Sequence, residues 1–193
     1  MPFRSVTLTL PNLVTLLRIL LIPLIVGIFY VPDAWLTDEG KNIAATAVFI
    51  VAAASDWLDG YLARKLNQMS AFGAFLDPVA DKLVVIGALV VLLKLGRVDM
   101  VVALIIIGRE IAISALREWM ATVGRSRNVA VAFIGKLKTV LQMIAIPLLL
   151  FEDRLFGLVD CFALGTVMIY IAAVLTVVSM LYYLRRAMAP AQG

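Results

Sequence analysis

Four aspartates lie within a 26-residue segment that is otherwise mostly apolar, DWLDGYLARKLNQMSAFGAFLDPVAD. Asp56 and Asp59 are three residues apart and Asp77 and Asp81 are four apart, so on helices each pair would share one face. Carboxylates brought this close together cannot all ionise unless a positive charge sits among them. Ligand sets made only of oxygen favour hard cations such as Mg²⁺, Mn²⁺ or Ca²⁺. The spacing therefore predicts a divalent metal site, with two ions, built between two helices.

The composition of the chain predicts that this site lies in a membrane. Of the 193 residues, 63% are hydrophobic, which is too apolar for a soluble domain of this size. One cysteine, Cys161, and no histidine exclude disulfides, thiolate zinc sites and Ser-His-Asp chemistry. The net charge of +4 is typical of a protein that faces anionic lipid, so membrane lipid is a predicted partner. No nucleic-acid partner is predicted.

The apolar runs predict an all-α, polytopic integral membrane protein with six transmembrane helices. A short interfacial segment, residues 1–12, precedes the first span, and the whole chain, 1–193, is predicted to form a single membrane-embedded domain. The third span is predicted to begin near Asp77 and Pro78, because proline suits the first turn of a helix. The other predicted spans cover about 13–30, 43–66, 100–120, a segment ending at 151, and 161–184, each approaching the roughly 20 residues that cross a bilayer.

The distribution of basic residues predicts the orientation of these spans. Cytoplasmic segments carry an excess of lysine and arginine. That rule places both termini, the 64–73 link and the 121–138 loop on the cytoplasmic side, and the acidic turns on the other. All four aspartates then lie toward the cytoplasmic ends of the second and third spans, and ionisable residues inside a membrane indicate a functional site.

The aspartate segment also resembles the signature of a known family. Eight residues at fixed gaps match that of the CDP-alcohol phosphotransferase family, Asp56-x2-Asp59-Gly60-x2-Ala63-Arg64-x8-Gly73-x3-Asp77-x3-Asp81. The segments PNLVTLLRILLIP, GAFLDPVADK, GREIAISALREWM and IGKLKTVLQM resemble one bacterial branch of that family from end to end. The resemblance covers the whole chain and implies the CDP-alcohol phosphotransferase fold.

The resemblance further implies an activity. The protein would transfer the phosphatidyl group of CDP-diacylglycerol to the hydroxyl of sn-glycerol 3-phosphate, giving phosphatidylglycerophosphate and CMP. It would require Mg²⁺ or Mn²⁺, with two ions, because displacement at phosphorus needs divalent cations to neutralise the diphosphate. The resemblance also implies a homodimer in the bacterial cytoplasmic membrane, with the active site facing the cytoplasm.

The family signature assigns roles to its own residues. By this resemblance the metal ligands are Asp56, Asp59 and Asp77, with Asp81 shared between the metal and catalysis as the general base for the acceptor hydroxyl. The nucleotide-binding positions are Gly60, Ala63, Arg64 and Gly73.

The phosphate of the acceptor needs a second, cationic pocket. Arg109, Arg117 and Lys136 are the predicted phosphate-binding residues, because arginine can bind phosphate with two parallel hydrogen bonds and lysine as a point charge. The remaining cations of this region, Arg125, Arg127 and Lys138, are interpreted as determinants of topology.

A polar series begins the first predicted span. Asn12, Thr15 and Arg18 recur every three residues. One hypothesis makes them a wall of the active site. The alternative makes Asn12 a helix cap and lets Arg18 extend to the lipid headgroups.

Two other classes of protein and a related enzyme share some of these features. A metal-ion transporter would also carry intramembrane carboxylates, but the outer halves of the spans offer no polar continuation and no repeat is apparent. A lipid-binding structural subunit leaves the aspartate spacing unexplained. A related transferase could use another acceptor, such as inositol phosphate, serine or a second phospholipid. The signature does not distinguish these enzymes, because its residues bind only the donor that they have in common.

Overall fold

The structure, a computed structural model, describes residues 10–66, 71–122 and 133–188. These residues are mostly helical, and they form six helices and one pair of two-residue strands. The elements are α1 (Leu10–Ile28), α2 (Asp38–Leu66), α3 (Ala71–Lys94), α4 (Met100–Thr122), α5 (Phe133–Phe151), β1 (Arg154–Leu155), β2 (Val159–Asp160) and α6 (Cys161–Met188). The predicted all-α class is therefore correct apart from the short strands.

The connection between α1 and α2 shows why α2 begins at Asp38. Thr37 caps the helix, since its Oγ1 accepts a hydrogen bond from the amide of Gly40 at 3.2 Å. The side chain of Lys41 contacts both Asp33 and Asp38, with Nζ 3.3 Å from the Asp38 carboxylate. The hydrogen bond to Asp33 is the main reason that the pKa of Lys41 lies above its ordinary value.

Helix ends in the second half of the chain follow from single residues. Asp99 caps α4, with Oδ1 2.8 Å from the amide of Val101, and Asp160 caps α6 in the same manner, 2.9 Å from the amide of Ala163. Gly96 ends α3 with a φ of 71°, a left-handed conformation that glycine adopts without steric cost.

The predicted start of the third helix is wrong. α3 begins at Ala71, so Pro78 lies inside the helix instead of in its first turn. A proline within a helix removes one backbone hydrogen bond and crowds the preceding turn, but α3 continues for 16 residues beyond it. Consequently Asp77 is not a helix cap, and Asp77 and Asp81 lie one turn apart on a continuous helix.

The chain forms two compact units, Met1–Val91 and Leu92–Gly193. In the first unit α1 packs along α2, and a Cβ built on Gly87 of α3 would lie 2.8 Å from Ile22 Cγ2. In the second unit α6 packs against α4 and α5. A Cβ on Gly165 would lie 2.8 Å from Leu149 Cγ and 3.2 Å from the carbonyl oxygen of Ala145. Small residues therefore let these helices approach closely.

In the part of the chain whose side chains the structure describes, one helical stretch is long and apolar enough to cross a membrane, Cys161–Tyr182 of α6. The apolar stretches of α1 and α5 that are described in this way, Asn12–Ile28 and Leu137–Phe151, are shorter. The number of spans predicted from the sequence, six, stays a prediction, as does the single domain.

Candidate active site

The four aspartates of the signature lie on two helices of the first unit. Asp56 and Asp59 belong to α2, three residues apart, and Asp77 and Asp81 belong to α3. The side chains of Asp56 and Asp59 lie outside the described part of the structure, as do those of Ala63 and Arg64 and the surroundings of Gly60. The geometry of the site is therefore given by α3 and by the residues that contact it.

Thr15 of α1 contacts the first aspartate of α3. Its side-chain hydroxyl donates a 2.6 Å hydrogen bond to Asp77 Oδ1. Thr15 is fully buried. Because the donor is held inside the protein, the hydrogen bond restricts the orientation of the Asp77 carboxylate.

Arg18, one turn further along α1, contacts the second aspartate of α3. Its NH1 group donates to Asp81 Oδ1 in an ion pair, and its Nε donates to Ser55 Oγ at 3.3 Å. Only 1% of the Arg18 side chain is exposed. This guanidinium therefore joins α1 to both α2 and α3.

The polar series on α1 is thus an internal face of the first unit. Asn12, Thr15 and Arg18 are all buried, and Asn12 lies within the helix, which begins at Leu10. The alternative of a helix cap with an arginine extended to the headgroups is wrong. The structure brings Thr15 and Arg18 to the aspartates of α3, as expected for a wall of the site, and their part in binding stays a prediction.

Ser55 is a residue of this site that the spacing of the charged residues does not predict. It directly precedes Asp56 on α2, accepts from Arg18, and donates to the carbonyl oxygen of Ala52 at 2.7 Å. A serine in an apolar helix commonly bonds back to its own preceding turn. Its position beside the first aspartate was the only signal in the sequence that could have indicated it.

The donor atoms on α3 suit a hard cation. Asp77 and Asp81 supply carboxylate oxygens one turn apart, and 46% of the Asp81 side chain is exposed and thus accessible. Among the side chains that the structure describes, which exclude those of Asp56 and Asp59, no three acidic, histidine or cysteine residues cluster closely enough to hold a metal ion. The ligand set that includes the aspartates of α2 stays a prediction. Gly73, a predicted nucleotide-binding position, is buried near the start of α3.

The predicted acceptor pocket belongs to the second unit. Arg109 and Arg117 lie on α4, and Lys136 lies on α5, but the side chains of Arg117 and Lys136 are outside the described residues. Arg109 is buried, with NH1 3.2 Å from Glu110 Oε1 and NH2 3.5 Å from Ser179 Oγ of α6.

Lys138 has a contact that the sequence analysis did not anticipate. It was interpreted only as a determinant of topology, but its side chain is buried and its Nζ forms an ion pair with Glu110. Periodicity along α5 separates positions 136 and 138 by about 200°, but it does not reveal which charge a neighbouring helix carries there. Arg125 and Arg127 lie outside the described residues.

Comparison with known proteins agrees with the signature. The model of the CDP-alcohol phosphatidyltransferase family matches residues 8–178, which is most of the chain. The protein therefore belongs to the CDP-alcohol phosphatidyltransferase family.

Two similar proteins indicate which branch of the family the chain resembles. The chain is 47% identical to a protein of Shigella flexneri serotype 5b (strain 8401) over 93% of this chain and 95% of that relative. A protein of Escherichia coli (strain K12) is 46% identical over the same shares. Both relatives carry the name CDP-diacylglycerol–glycerol-3-phosphate 3-phosphatidyltransferase.

Proposed function

We propose that the protein transfers the phosphatidyl group of CDP-diacylglycerol to sn-glycerol 3-phosphate, forming phosphatidylglycerophosphate and CMP. The observation that carries this proposal is the 47% identity over 93% of the chain to a relative named for that reaction. The signature alone supports only the shared donor, whereas identity over the whole length includes the helices that would receive the acceptor.

The aspartates hold the donor through a divalent cation in this proposal. Asp56, Asp59, Asp77 and Asp81 are the ligands, and their oxygen atoms suit Mg²⁺ or Mn²⁺, with two ions. A metal bound by these residues would supply positive charge that neutralises the diphosphate and stabilises CMP as the leaving group. The hydrogen bond from Thr15 and the ion pair from Arg18 hold the two carboxylates of α3 in place.

The remaining signature residues bind the nucleotide. Gly60 and Gly73 permit close approach of the cytidine, Ala63 keeps the helix surface small, and Arg64 binds phosphate. The hydroxyl oxygen of the acceptor attacks the phosphorus of the phosphatidyl group, and the bond from that phosphorus to the oxygen of CMP breaks. Asp81 accepts the hydroxyl proton as the general base.

The same proposal includes the membrane arrangement. Six helices would cross the bacterial cytoplasmic membrane as a single domain, with both termini and the active site on the cytoplasmic side and two copies forming a homodimer. The apolar composition of the chain supports the spans, and the positive charge of the segments placed on the cytoplasmic side supports their orientation. The homodimer rests on the family resemblance. A site at that boundary would leave the acyl chains in lipid and the nucleotide in water.

Purified protein in detergent provides the test of the reaction. CMP release from CDP-diacylglycerol should require both Mg²⁺ or Mn²⁺ and glycerol 3-phosphate. In a panel of acceptors, inositol phosphate and serine should be poor substrates. Release of CMP with one of these, and none with glycerol 3-phosphate, would assign the protein to a related transferase. The absence of metal-dependent CMP release with every acceptor would contradict transferase activity.

The acceptor pocket gives a separate prediction. Arg109→Ala, Arg117→Ala and Lys136→Ala should each raise the KM for glycerol 3-phosphate while changing the KM for CDP-diacylglycerol much less. Loss of one charged hydrogen bond costs roughly 1.5 to 3 kcal/mol, which corresponds to about ten- to a hundredfold in KM. Steady-state kinetics with each substrate varied in turn is the measurement.

Two neighbouring arginines are the controls for this prediction. Arg125→Ala and Arg127→Ala should leave both KM values close to those of the wild type, because a topological role does not involve the acceptor. If these controls raised the KM for the acceptor and the other three variants were normal, the phosphate would bind at the loop.

A further inference from the structure

A buried ionic cluster joins α4, α5 and α6 in the second unit. Lys138 of α5 and Arg109 of α4 both donate to the same carboxylate oxygen, Glu110 Oε1. Of the side chains, 3% of Lys138, 7% of Arg109 and 17% of Glu110 are exposed. On the far side of Arg109, NH2 reaches Ser179 of α6, and Ser179 donates to the carbonyl oxygen of Thr176 at 2.9 Å.

The cluster holds Arg109 in an orientation that its own helix would not impose. Consecutive residues of a helix point about 100° apart, so Arg109 and Glu110 do not face each other by default. The two side chains nevertheless form an ion pair at the side of α4, and Lys138 forms a second ion pair with the same carboxylate. With NH1 on Glu110 and NH2 on Ser179, the plane of the guanidinium is fixed at two points.

Stability alone is a weak reason for such a cluster. Burying charges removes them from water, and replacing a buried ion pair by apolar residues of similar size is often neutral or stabilising. A fixed guanidinium plane, in contrast, gives a set direction to the N–H groups that Glu110 and Ser179 leave over, and charged hydrogen bonds in a set direction are what recognition of phosphate needs. The cluster is therefore better explained by orientation of Arg109 than by its contribution to folding.

We propose that Glu110 and Lys138 are positioning residues for the acceptor: Lys138 holds the Glu110 carboxylate, and that carboxylate orients Arg109 toward the phosphate of the acceptor. This inference rests on the proposed function. It assigns neither Glu110 nor Lys138 a contact with the substrate. Both residues act on the acceptor only through the orientation of Arg109, so removing either one should remove the same effect.

The test is a double-mutant cycle in the full-length protein. Glu110→Gln and Lys138→Met each keep the approximate size of the side chain and remove its charge. Each should raise the KM for glycerol 3-phosphate about tenfold, equivalent to about 1.4 kcal/mol, with little change in the KM for CDP-diacylglycerol. Because both act through one carboxylate, the double variant should be no worse than either single variant. Lys138→Arg, which keeps the charge, should recover most of the acceptor affinity.

A matched control lies at the other end of α5. Arg97 pairs with Glu152 and also donates to the carbonyl oxygens of Leu149 and Leu150, at 3.2 and 2.9 Å. Glu152→Gln removes the same charge from an ion pair of the same unit. It should leave the KM values of both substrates unchanged.

Three results would overturn the positioning role. The first is a wild-type KM for glycerol 3-phosphate in Glu110→Gln. The second is a double variant whose increase is the product of the single increases, since Lys138 would then act independently. The third is a parallel rise of both KM values together with a lower unfolding temperature, which indicates a structural role only.

Binding can also be followed without turnover. Glycerol 3-phosphate should raise the unfolding temperature of the wild type, and Glu110→Gln should reduce that shift. An equal shift in both proteins contradicts the proposal even when a variant is inactive. Failure of the proposed function is recognised separately, because the wild type would then release no CMP with this acceptor.

Discussion

Asp77→Asn is expected to abolish turnover while the protein still folds. The amide oxygen of the variant can accept the hydrogen bond that the Thr15 hydroxyl donates to Asp77 Oδ1, so the contact between α1 and α3 is kept. What is lost is one negative charge of the ligand set, which weakens the attraction of the site for a divalent cation. Metal ions contribute several kcal/mol of transition-state stabilisation, which at 1.4 kcal/mol per decade is a loss of roughly a hundredfold or more. The measurement is CMP release at saturating Mg²⁺, with thermal unfolding as the check on folding.

The same substitution at Asp56 and at Asp59 should have the same effect, since each removes one ligand from a site with few substitutes. Asp99→Asn is the matched control. Asp99 caps α4, and asparagine is an equally good cap, so this variant should be stable and active. Near wild-type turnover in Asp56→Asn, Asp59→Asn or Asp77→Asn would exclude that aspartate as a metal ligand.

Asp81→Asn is expected to impair the chemical step more than binding of the donor. A general base contributes typically a 10²- to 10⁴-fold acceleration, and an amide cannot accept the proton of the acceptor hydroxyl at neutral pH. We expect kcat to fall by roughly that factor, while the affinity for CDP-diacylglycerol falls much less than in Asp77→Asn. Single-turnover kinetics and donor binding at equilibrium separate the two effects. If donor affinity falls as far as in Asp56→Asn, Asp81 is chiefly a metal ligand.

The ion pair with Arg18 adds an effect on stability to this variant. Removing one partner of a fully buried pair costs about 3 to 5 kcal/mol. Here the Arg18 side chain is 1% exposed but that of Asp81 is 46% exposed, so water screens the pair and the loss should be smaller. The unfolding temperature of Asp81→Asn should therefore decrease modestly, and an unfolded variant would instead show that the pair is essential to the first unit.

The sequence by itself determined the helices and the chemistry of their charged residues. Apolar runs of sufficient length predicted six helices, and six are found in the described part of the chain, ending within a few residues of the predicted positions. The gaps of three and four residues between aspartates depend only on helical geometry, so both pairs could be assigned to shared faces. The signature and the matching segments also led to the family that the comparison supports.

Rules based on single residues predicted the start of a helix less reliably where that helix packs against others. Pro78 was expected in a first turn, because an isolated helix loses a hydrogen bond at an internal proline. In the folded chain α3 begins at Ala71, before the proline in the sequence, so Pro78 lies inside the helix. Tertiary packing supplies most of the stability of a helix in a protein, and it can outweigh one such defect.

Only the tertiary structure decided how the buried charges are paired. Arg18 was as compatible with lipid headgroups as with a site, and Lys138 was interpreted only as a determinant of topology. Their partners, Asp81 and Glu110, lie 63 and 28 residues away along the chain. The periodicity of a helix states which residues share its face, but the identity of the charge opposite depends on how another helix is placed against it. The cost of burying an unpaired charge then makes that placement decisive.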